Sequence, residues 1–208
     1  MTKILITSGP TRQFIDPVRY LSNASSGQMG CCLAQAALDR GFEVVIVSGP
    51  VQVQYPEAAE VVPVVSTEEM LSACLKRLAE CDGVIGAAAP CDYQPVDVAD
   101  HKIRKTGETL QINLVETPDI MATLGKQKRG DQWSIGFALE TDDARFRALT
   151  KLQKKSCDLV VLNGVSAIDS TDNSIEIIAP DGTVIVTADG PKSVVAEVIL
   201  ETVSRRLI

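Results

Sequence analysis

Arg19-Tyr-Leu-Ser-Asn-Ala-Ser-Ser-Gly-Gln-Met-Gly30 reads as a loop rich in hydroxyl, amide and glycine groups that runs directly into a helix. A short β-branched strand, Lys3–Thr7, precedes it and ends in Ser8-Gly9-Pro10-Thr11. Behind it, Met29, Cys32, Leu33, Ala36 and Ala37 recur at helical spacing, and Gly41 stops the helix. Such a strand, turn and helix start suit an anion, because free first-turn N–H groups and the positive end of the helix dipole face it. Ser25 and Ser26 can cap those groups or hydrogen-bond a phosphate, while Gly27 and Gly30 allow close approach to the backbone. Arg19 and Asn23 add a fixed cation and an uncharged donor–acceptor at the mouth of the same site.

Outward from this stretch, strands and helices alternate. Glu43–Ser48 is a strand closed by Gly49-Pro50, and the short apolar segment Val61–Val65 leads to a helix capped by Ser66 or Thr67. That helix places Met70, Leu71, Cys74, Leu75 and Leu78 on one face. Gly83–Ala89 is a continuous apolar run, as in a strand buried on both faces of a parallel sheet. Strands near 134–139 and 158–162 bracket a helix at about 142–156. The expected fold is α/β, a Rossmann-like doubly wound, mostly parallel sheet in one domain spanning 1–208. The tail adds a β-hairpin, Ser174–Ala179 and Thr183–Thr187 about a turn at Pro180-Asp181-Gly182, and a closing helix from about Lys192 to Arg205.

Between Cys91 and Thr117 a long excursion leaves the carboxyl end of a buried strand, where open α/β sheets bind ligands. Its end, Thr109–Val115, alternates like a strand exposed on one face. Lys102, Arg104 and Lys105 in the excursion, with Lys151, Lys154 and Lys155 on the helix at 142–156, would suit a polyphosphate if brought together. Lys151 and Lys155 share a helix face. Thr117-Pro118-Asp119-Ile120 reads as a helix start with Pro at its first position.

The net charge of −7 speaks against nucleic-acid and anionic-membrane partners. No apolar run approaches the roughly 20 residues of a membrane-spanning helix. Six cysteines without CxxC or zinc spacing, with one histidine, read as reduced core thiols of a cytoplasmic protein. No G-x-G-x-x-G follows the first strand, and Ser48-Gly49-Pro50 stands where a dinucleotide site would place an acidic residue. Neither a P-loop nor a G-x-S-x-G elbow is present, and His101 sits in a polar loop.

With these residues in view, the chain resembles the bacterial phosphopantothenate–cysteine ligases of coenzyme A biosynthesis. The matching pieces are Thr7-Ser-Gly-Pro-Thr-Arg12, Asp16-Pro-Val-Arg-Tyr-Leu-Ser-Asn23 with Ser25-Ser-Gly27 and Met29-Gly30, Ala87-Ala-Ala89 with Asp92-Tyr93, Lys102-Ile-Arg-Lys105, Pro118-Asp-Ile120 and Gly136-Phe137. Each is weak alone, but they stand in family order over nearly the whole chain. The flavin-dependent decarboxylase half of many bacterial fusions is not expected here, which leaves room for a separate decarboxylase partner.

The resemblance implies that CTP, carrying Mg²⁺, activates 4′-phosphopantothenate as an acyl-cytidylate, which the amine of cysteine then attacks. It implies no flavin and no dedicated metal cage. Asn23 would hold the acyl-nucleotide intermediate and Lys102 would support its formation. Substrate contacts would come from Asn23, Ala88 and Ala89, with Arg19 inferred beside them. Gly9, Ser25, Gly27 and Gly30 would surround nucleotide phosphates. Asp92, Lys102, Pro118, Asp119, Ile120, Met121, Phe137, Lys151 and Lys155 match nucleotide-binding positions, with Phe137 as a wall against the base. A homodimer is implied, the excursion reaching toward the partner. Three departures stand out: Pro90-Cys91 replaces small apolar residues, Gln28 a common lysine, and Asn163-Gly164 the usual Asn-Asp. A nucleotide-binding module without turnover and an NAD(P)-dependent oxidoreductase of similar fold are the rival readings.

Overall fold

A computed structural model describes residues 1–139, 143–164 and 172–208. The elements follow as β1 (Lys3–Ser8), β2 (Arg12–Asp16), β3 (Arg19–Ser22), α1 (Gln28–Asp39), β4 (Glu43–Ser48), β5 (Glu60–Pro63) and α2 (Thr67–Leu78). Then come β6 (Gly83–Gly86), β7 (Tyr93–Pro95), β8 (Leu114–Glu116), α3 (Ile120–Gln127), β9 (Trp133–Leu139) and α4 (Ala144–Lys155). The chain closes with β10 (Leu159–Asn163), β11 (Asp172–Ile178), β12 (Val184–Pro191) and α5 (Lys192–Arg206). Eight strands form one sheet in the order β12-β11-β10-β9-β6-β1-β4-β5. It is parallel from β10 to β5, and β11 and β12 join as an antiparallel hairpin.

Burial on both faces explains the apolar runs. In β1, Ile4 and Ile6 pack on one side with Leu33, Ala36, Val195 and Ile199 of α1 and α5. Leu5 between them faces the opposite layer, with Met70 of α2, Leu124 of α3 and Leu152 of α4. All six cysteines are free thiols. Burial raises Cys74 to about 12 and Cys81 to about 11, so both stay protonated at neutral pH. Gly83 lies opposite Trp133 in the neighbouring strand. A Cβ there would come within 2.1 Å of the indole, so the pairing requires glycine.

Most elements match the pattern-based expectations, with α2 capped by Ser66 and Glu69 in a reciprocal box. Four expectations need correction. Arg19–Ser22 is a strand paired antiparallel with β2, not part of a loop. The run 83–89 is regular strand only to Gly86, although it stays beside β1 through a bridge between Pro10 and Ala89. In the alternating segment only Leu114–Glu116 forms a strand, paired with β7, because Leu110–Asn113 has no neighbouring strand to complete a ladder. Pro118 precedes the helix: Asp119 is the N-cap and accepts from the Ala122 N–H at 3.0 Å. Residue 142, the expected start of α4, falls outside the described residues.

The β2–β3 hairpin and the excursion are tied together by one buried carboxylate. Asp16 accepts from the N–H groups of Val18 (2.9 Å) and Ile103 (3.1 Å) and from Arg19 Nη1 (2.7 Å). Arg19 Nη1 also donates to the Ile103 carbonyl, and the Ala99 N–H to the Ile15 carbonyl. Desolvation pushes the Asp16 carboxyl up, but these N–H donors and the guanidinium outweigh it and hold it below the usual carboxylate value.

Replacing Gly83 by alanine is expected to lower stability by about 1–3 kcal/mol through overpacking against Trp133, measured by urea unfolding. Unchanged stability would contradict this packing. A depressed folded-state value means that the Asp16 contribution is present above the unfolded-state pKa and lost as pH falls through the folded one. The stability gap between wild type and Asp16→Asn should thus be open at pH 7 and narrow as pH drops below about 4. A gap independent of pH would refute the ionised role.

Candidate active site

The chain leaves β1 toward β4 and leaves β6 toward β9, so the carboxyl ends of these adjacent strands open a crevice. Residues 87–92 form its wall. The Ala87 N–H donates to the Thr7 carbonyl (3.2 Å), the Ala88 N–H to Thr7 Oγ1 (3.3 Å) and the Ala89 N–H to the Gly9 carbonyl (2.9 Å). The Cys91 N–H donates to Thr11 Oγ1 (2.8 Å), and the Cys91 carbonyl accepts from Thr117 Oγ1 (2.6 Å). Asn23 Nδ2 donates to the Pro90 carbonyl at 2.8 Å. Burial pushes the Cys91 thiol up, which suits a structural thiol and not a nucleophile.

Two cavities adjoin at this wall. The first, about 430 Å³, is bounded by Gly86 and Ala88, Phe137 at the middle of β9, Asp92, the start of α3 from Pro118 to Met121, and Lys154 and Lys155 at the end of α4. Gly86 lets α3 close over β6, since a Cβ there would meet Met121 Sδ at 2.5 Å. Lys155 Nζ lies 3.3 Å from Asp119 Oδ1 and so sets a cation beside the first turn of α3. Planar and apolar surfaces beside N–H donors and two ammonium groups suit a nucleotide.

The second cavity, about 220 Å³, shares Ala88 and Phe137 with the first. It is lined by Ala24 to Gly30 at the start of α1, by Asn163 and Asn173 at the ends of β10 and β11, and by Lys192 opening α5. Gly27, at φ +78°, is the N-cap of α1, which makes no side-chain cap bond. The expected Ser25 and Ser26 caps are thus not made; Ser26 Oγ only accepts from the Gln28 N–H at 3.4 Å. Gly30 is needed for packing, because a Cβ would strike Ser8 Oγ at 2.1 Å.

The expected site residues fall into three groups. Asp92, Pro118, Asp119, Ile120, Met121, Phe137 and Lys155 meet around the first cavity, together with Ala88. Ser25, Gly27, Gly30, Ala88 and Ala89 meet around the second. Asn23 is exposed and lines neither, although its neighbour Ala24 borders the second and its hydrogen-bond partner Pro90 borders the first. Gly9, Arg19, Lys102 and Lys151 line neither cavity. Gly9 is buried under Val51 and serves the turn after β1. Arg19 and Asn23 are not side by side: β3 separates them by four residue rises, about 13 Å when extended, and the Arg19 guanidinium is held by Asp16. Lys102, Arg104 and Lys105 are exposed on the excursion, so the six cations do not converge within one chain.

Sequence reasoning did not single out Asn173 or Lys192 as lining the second cavity, and noted Asn163 only as part of a departure from the family pattern. Only the antiparallel pairing of β10 with β11 brings the two asparagines to one place, and no local spacing signals it.

A coenzyme A biosynthesis bifunctional protein CoaBC from Vibrio vulnificus is 42% identical over 185 residues, 86% of this chain and 46% of that protein. The chain spans about half the length of the curated relatives it matches. The crystal structure of the C-terminal domain of a CoaBC protein superposes with a TM-score of 0.83 at 37% identity, over 99% of this chain and 95% of that one. A Cab2 mutant in complex with phosphopantothenate-cysteine shares the fold, with a TM-score of 0.80 at 16% identity over 98% and 86% of the two chains. With residues 1–207 matched, this chain belongs to the family of DNA/pantothenate metabolism flavoprotein C-terminal domains.

Proposed function

We propose that the chain is a ligase joining 4′-phosphopantothenate to L-cysteine with CTP in coenzyme A biosynthesis. The observation that carries this reading is the pair of cavities sharing Ala88 and Phe137, with Asn23 hydrogen-bonded to the carbonyl of Pro90 in the wall of the first. Two ligands placed there would meet end to end, as a reaction between a nucleotide and an acid requires. The CoaBC relatives, named for coenzyme A biosynthesis, and the product-like molecule in the Cab2 complex support the choice of substrates.

In this reading the nucleotide occupies the first cavity, its base against Phe137 and the start of α3, its phosphates toward Lys154 and Lys155. Lys151, one helical turn before Lys155, and Asp92 complete the set. A carboxylate oxygen of phosphopantothenate attacks the α-phosphorus, and pyrophosphate leaves with the electron pair of the broken P–O bond. Charge neutralisation and alignment do most of this work. Asn23, with Ala88 and Ala89, holds the resulting acyl-cytidylate. The α-amine of cysteine attacks the acyl carbon, CMP departs, and the amine loses a proton as the amide forms. Lys102 supports activation from the exposed excursion. Mg²⁺ would accompany the triphosphate; Asp92, Glu116 and Asp119 are the carboxylates that line the first cavity, Asp119 already paired with Lys155.

A homodimer fits the excursion. Val96, Val98, Leu110, Ile112, Leu114 and Val115 are each 38–58% exposed, and β8 pairs on one side only. A second copy of the chain would cover this apolar surface. A separate decarboxylase is a second partner consistent with the fused relatives.

Incubation with CTP, 4′-phosphopantothenate and cysteine should release one pyrophosphate per amide formed, faster than with ATP. Absence of pyrophosphate would overturn the ligase reading, and a thermal shift with NAD⁺ instead would favour an oxidoreductase. Asn23→Asp should slow the step after activation, and Lys102→Gln the activation itself, each by about a hundredfold. Wild-type turnover in both would remove their assigned roles.

A further inference from the structure

From Val96 to Glu116 every residue is exposed except Ala99 and Ile103. Those same two join the stretch to the β2–β3 hairpin, Ala99 through its N–H to the Ile15 carbonyl at 3.0 Å. No helix or strand forms between Val96 and Asn113, whose N–H and carbonyl bond to each other. Ile103 is held by backbone and side chain alike. Its N–H donates to Asp16 Oδ2 at 3.1 Å, and its carbonyl accepts from Arg19 Nη1 at 3.1 Å. Its side chain borders a cavity of about 240 Å³ with Ile15, Val98, Leu110 and Ile112.

Asp16 is the centre of this anchor. Its carboxylate is fully buried; Oδ1 accepts from the Val18 N–H and closes the hairpin turn, while Oδ2 takes Arg19 and Ile103. Arg19 alone does not replace it, because an arginine only donates and the Ile103 N–H needs an acceptor. On either side of the anchored residue stand Lys102 and Arg104, both exposed and without an ion pair among the described residues. Lys102 is thus one residue from a fixed point. Without the bond at Ile103 its nearest fixed point is Ala99, and a flexible tether of that length wanders over about 10 Å. A misplacement of about 1 Å already costs a reacting group up to about a hundredfold in rate.

We propose that Asp16 is a positioning residue for carboxylate activation: it suspends the basic run from the hairpin turn at Ile103 and so sets Lys102 against the developing phosphate charge. This rests on the ligase reading, in which Lys102 supports activation. Asp16 lines neither crevice cavity, so its effect on the reaction travels through the residues it holds.

The test is a double-mutant cycle on pyrophosphate release, with limited trypsin cleavage after Arg104 and Lys105 as a readout that needs no substrate. Asp16→Asn keeps the size of the side chain but cannot accept at both of its terminal atoms. It should speed that cleavage about tenfold, slow pyrophosphate release about tenfold, and leave calorimetric CTP affinity within about twofold. In the Lys102→Gln background the same substitution should slow release by less than about twofold, because the cation it positions is gone. An equal tenfold loss in both backgrounds would overturn the proposal, since Asp16 would then act through stability or through other groups. So would an unchanged rate in a folded Asp16→Asn variant. Ile103→Pro removes the N–H donor and leaves the hairpin turn whole, so it gives the same readouts if Asp16→Asn does not fold. Wild type that releases no pyrophosphate would bring down the ligase reading and this assignment with it, while unchanged trypsin cleavage in the variants would sink the anchor alone.

Discussion

The adjacency of β1 and β6, with their chains departing in opposite directions, is the constraint on which the site depends. It opens the crevice, and the bond from the Ala89 N–H to the Gly9 carbonyl carries the pairing past the regular strand. The 87–91 segment is thereby held as a thin wall of small residues, with threonines 7, 11 and 117 satisfying its backbone. Small side chains matter here because a bulkier wall would separate the two cavities that Ala88 borders jointly. A preorganised backbone also spares the protein the entropy of ordering this segment when ligands arrive.

Around the wall, positive charge comes from helix ends as much as from side chains. α3 opens toward the first cavity under its Asp119 cap, with Lys155 set against that carboxylate. α1 and α5 open toward the second without caps. An overall charge of −7 does not preclude local positive potential at the crevice, where these helix ends and lysines face the cavities. Asp16 works at the other side of the hairpin. It fixes the excursion at Ile103 and engages Arg19, which leaves the guanidinium a structural role within one chain.

Elements whose burial is repetitive were legible from the residues alone. The apolar runs of β1, β4, β6, β9 and β10, the helical stripes of α1 and α2, and the C-terminal hairpin all follow from local pattern. β3 was not legible, because Arg19-Tyr-Leu-Ser22 is short and polar and becomes a strand only through pairing with β2. The excursion alternates like a strand, but most of it lacks a neighbour to complete a ladder. Within the site, many of the residues carried by the resemblance line the two cavities, while Gly9, Arg19, Asn23, Lys102 and Lys151 line neither, and cation counting over-gathered the lysines. Asn173 and Lys192 escaped notice because nothing in their local sequence marks them; tertiary pairing alone carries them to the start of α1.

The central claim is that the shared boundary at Ala88 sets a carboxylate against the α-phosphorus of a nucleotide. Phosphopantothenate labelled with ¹⁸O in its carboxylate tests this directly, by mass spectrometry of the products formed with CTP and cysteine. One labelled oxygen should appear in CMP, since attack by the carboxylate leaves that oxygen on the α-phosphate when the amide forms. Unlabelled CMP, with the isotope in orthophosphate or retained wholly in the acyl product, would contradict the account.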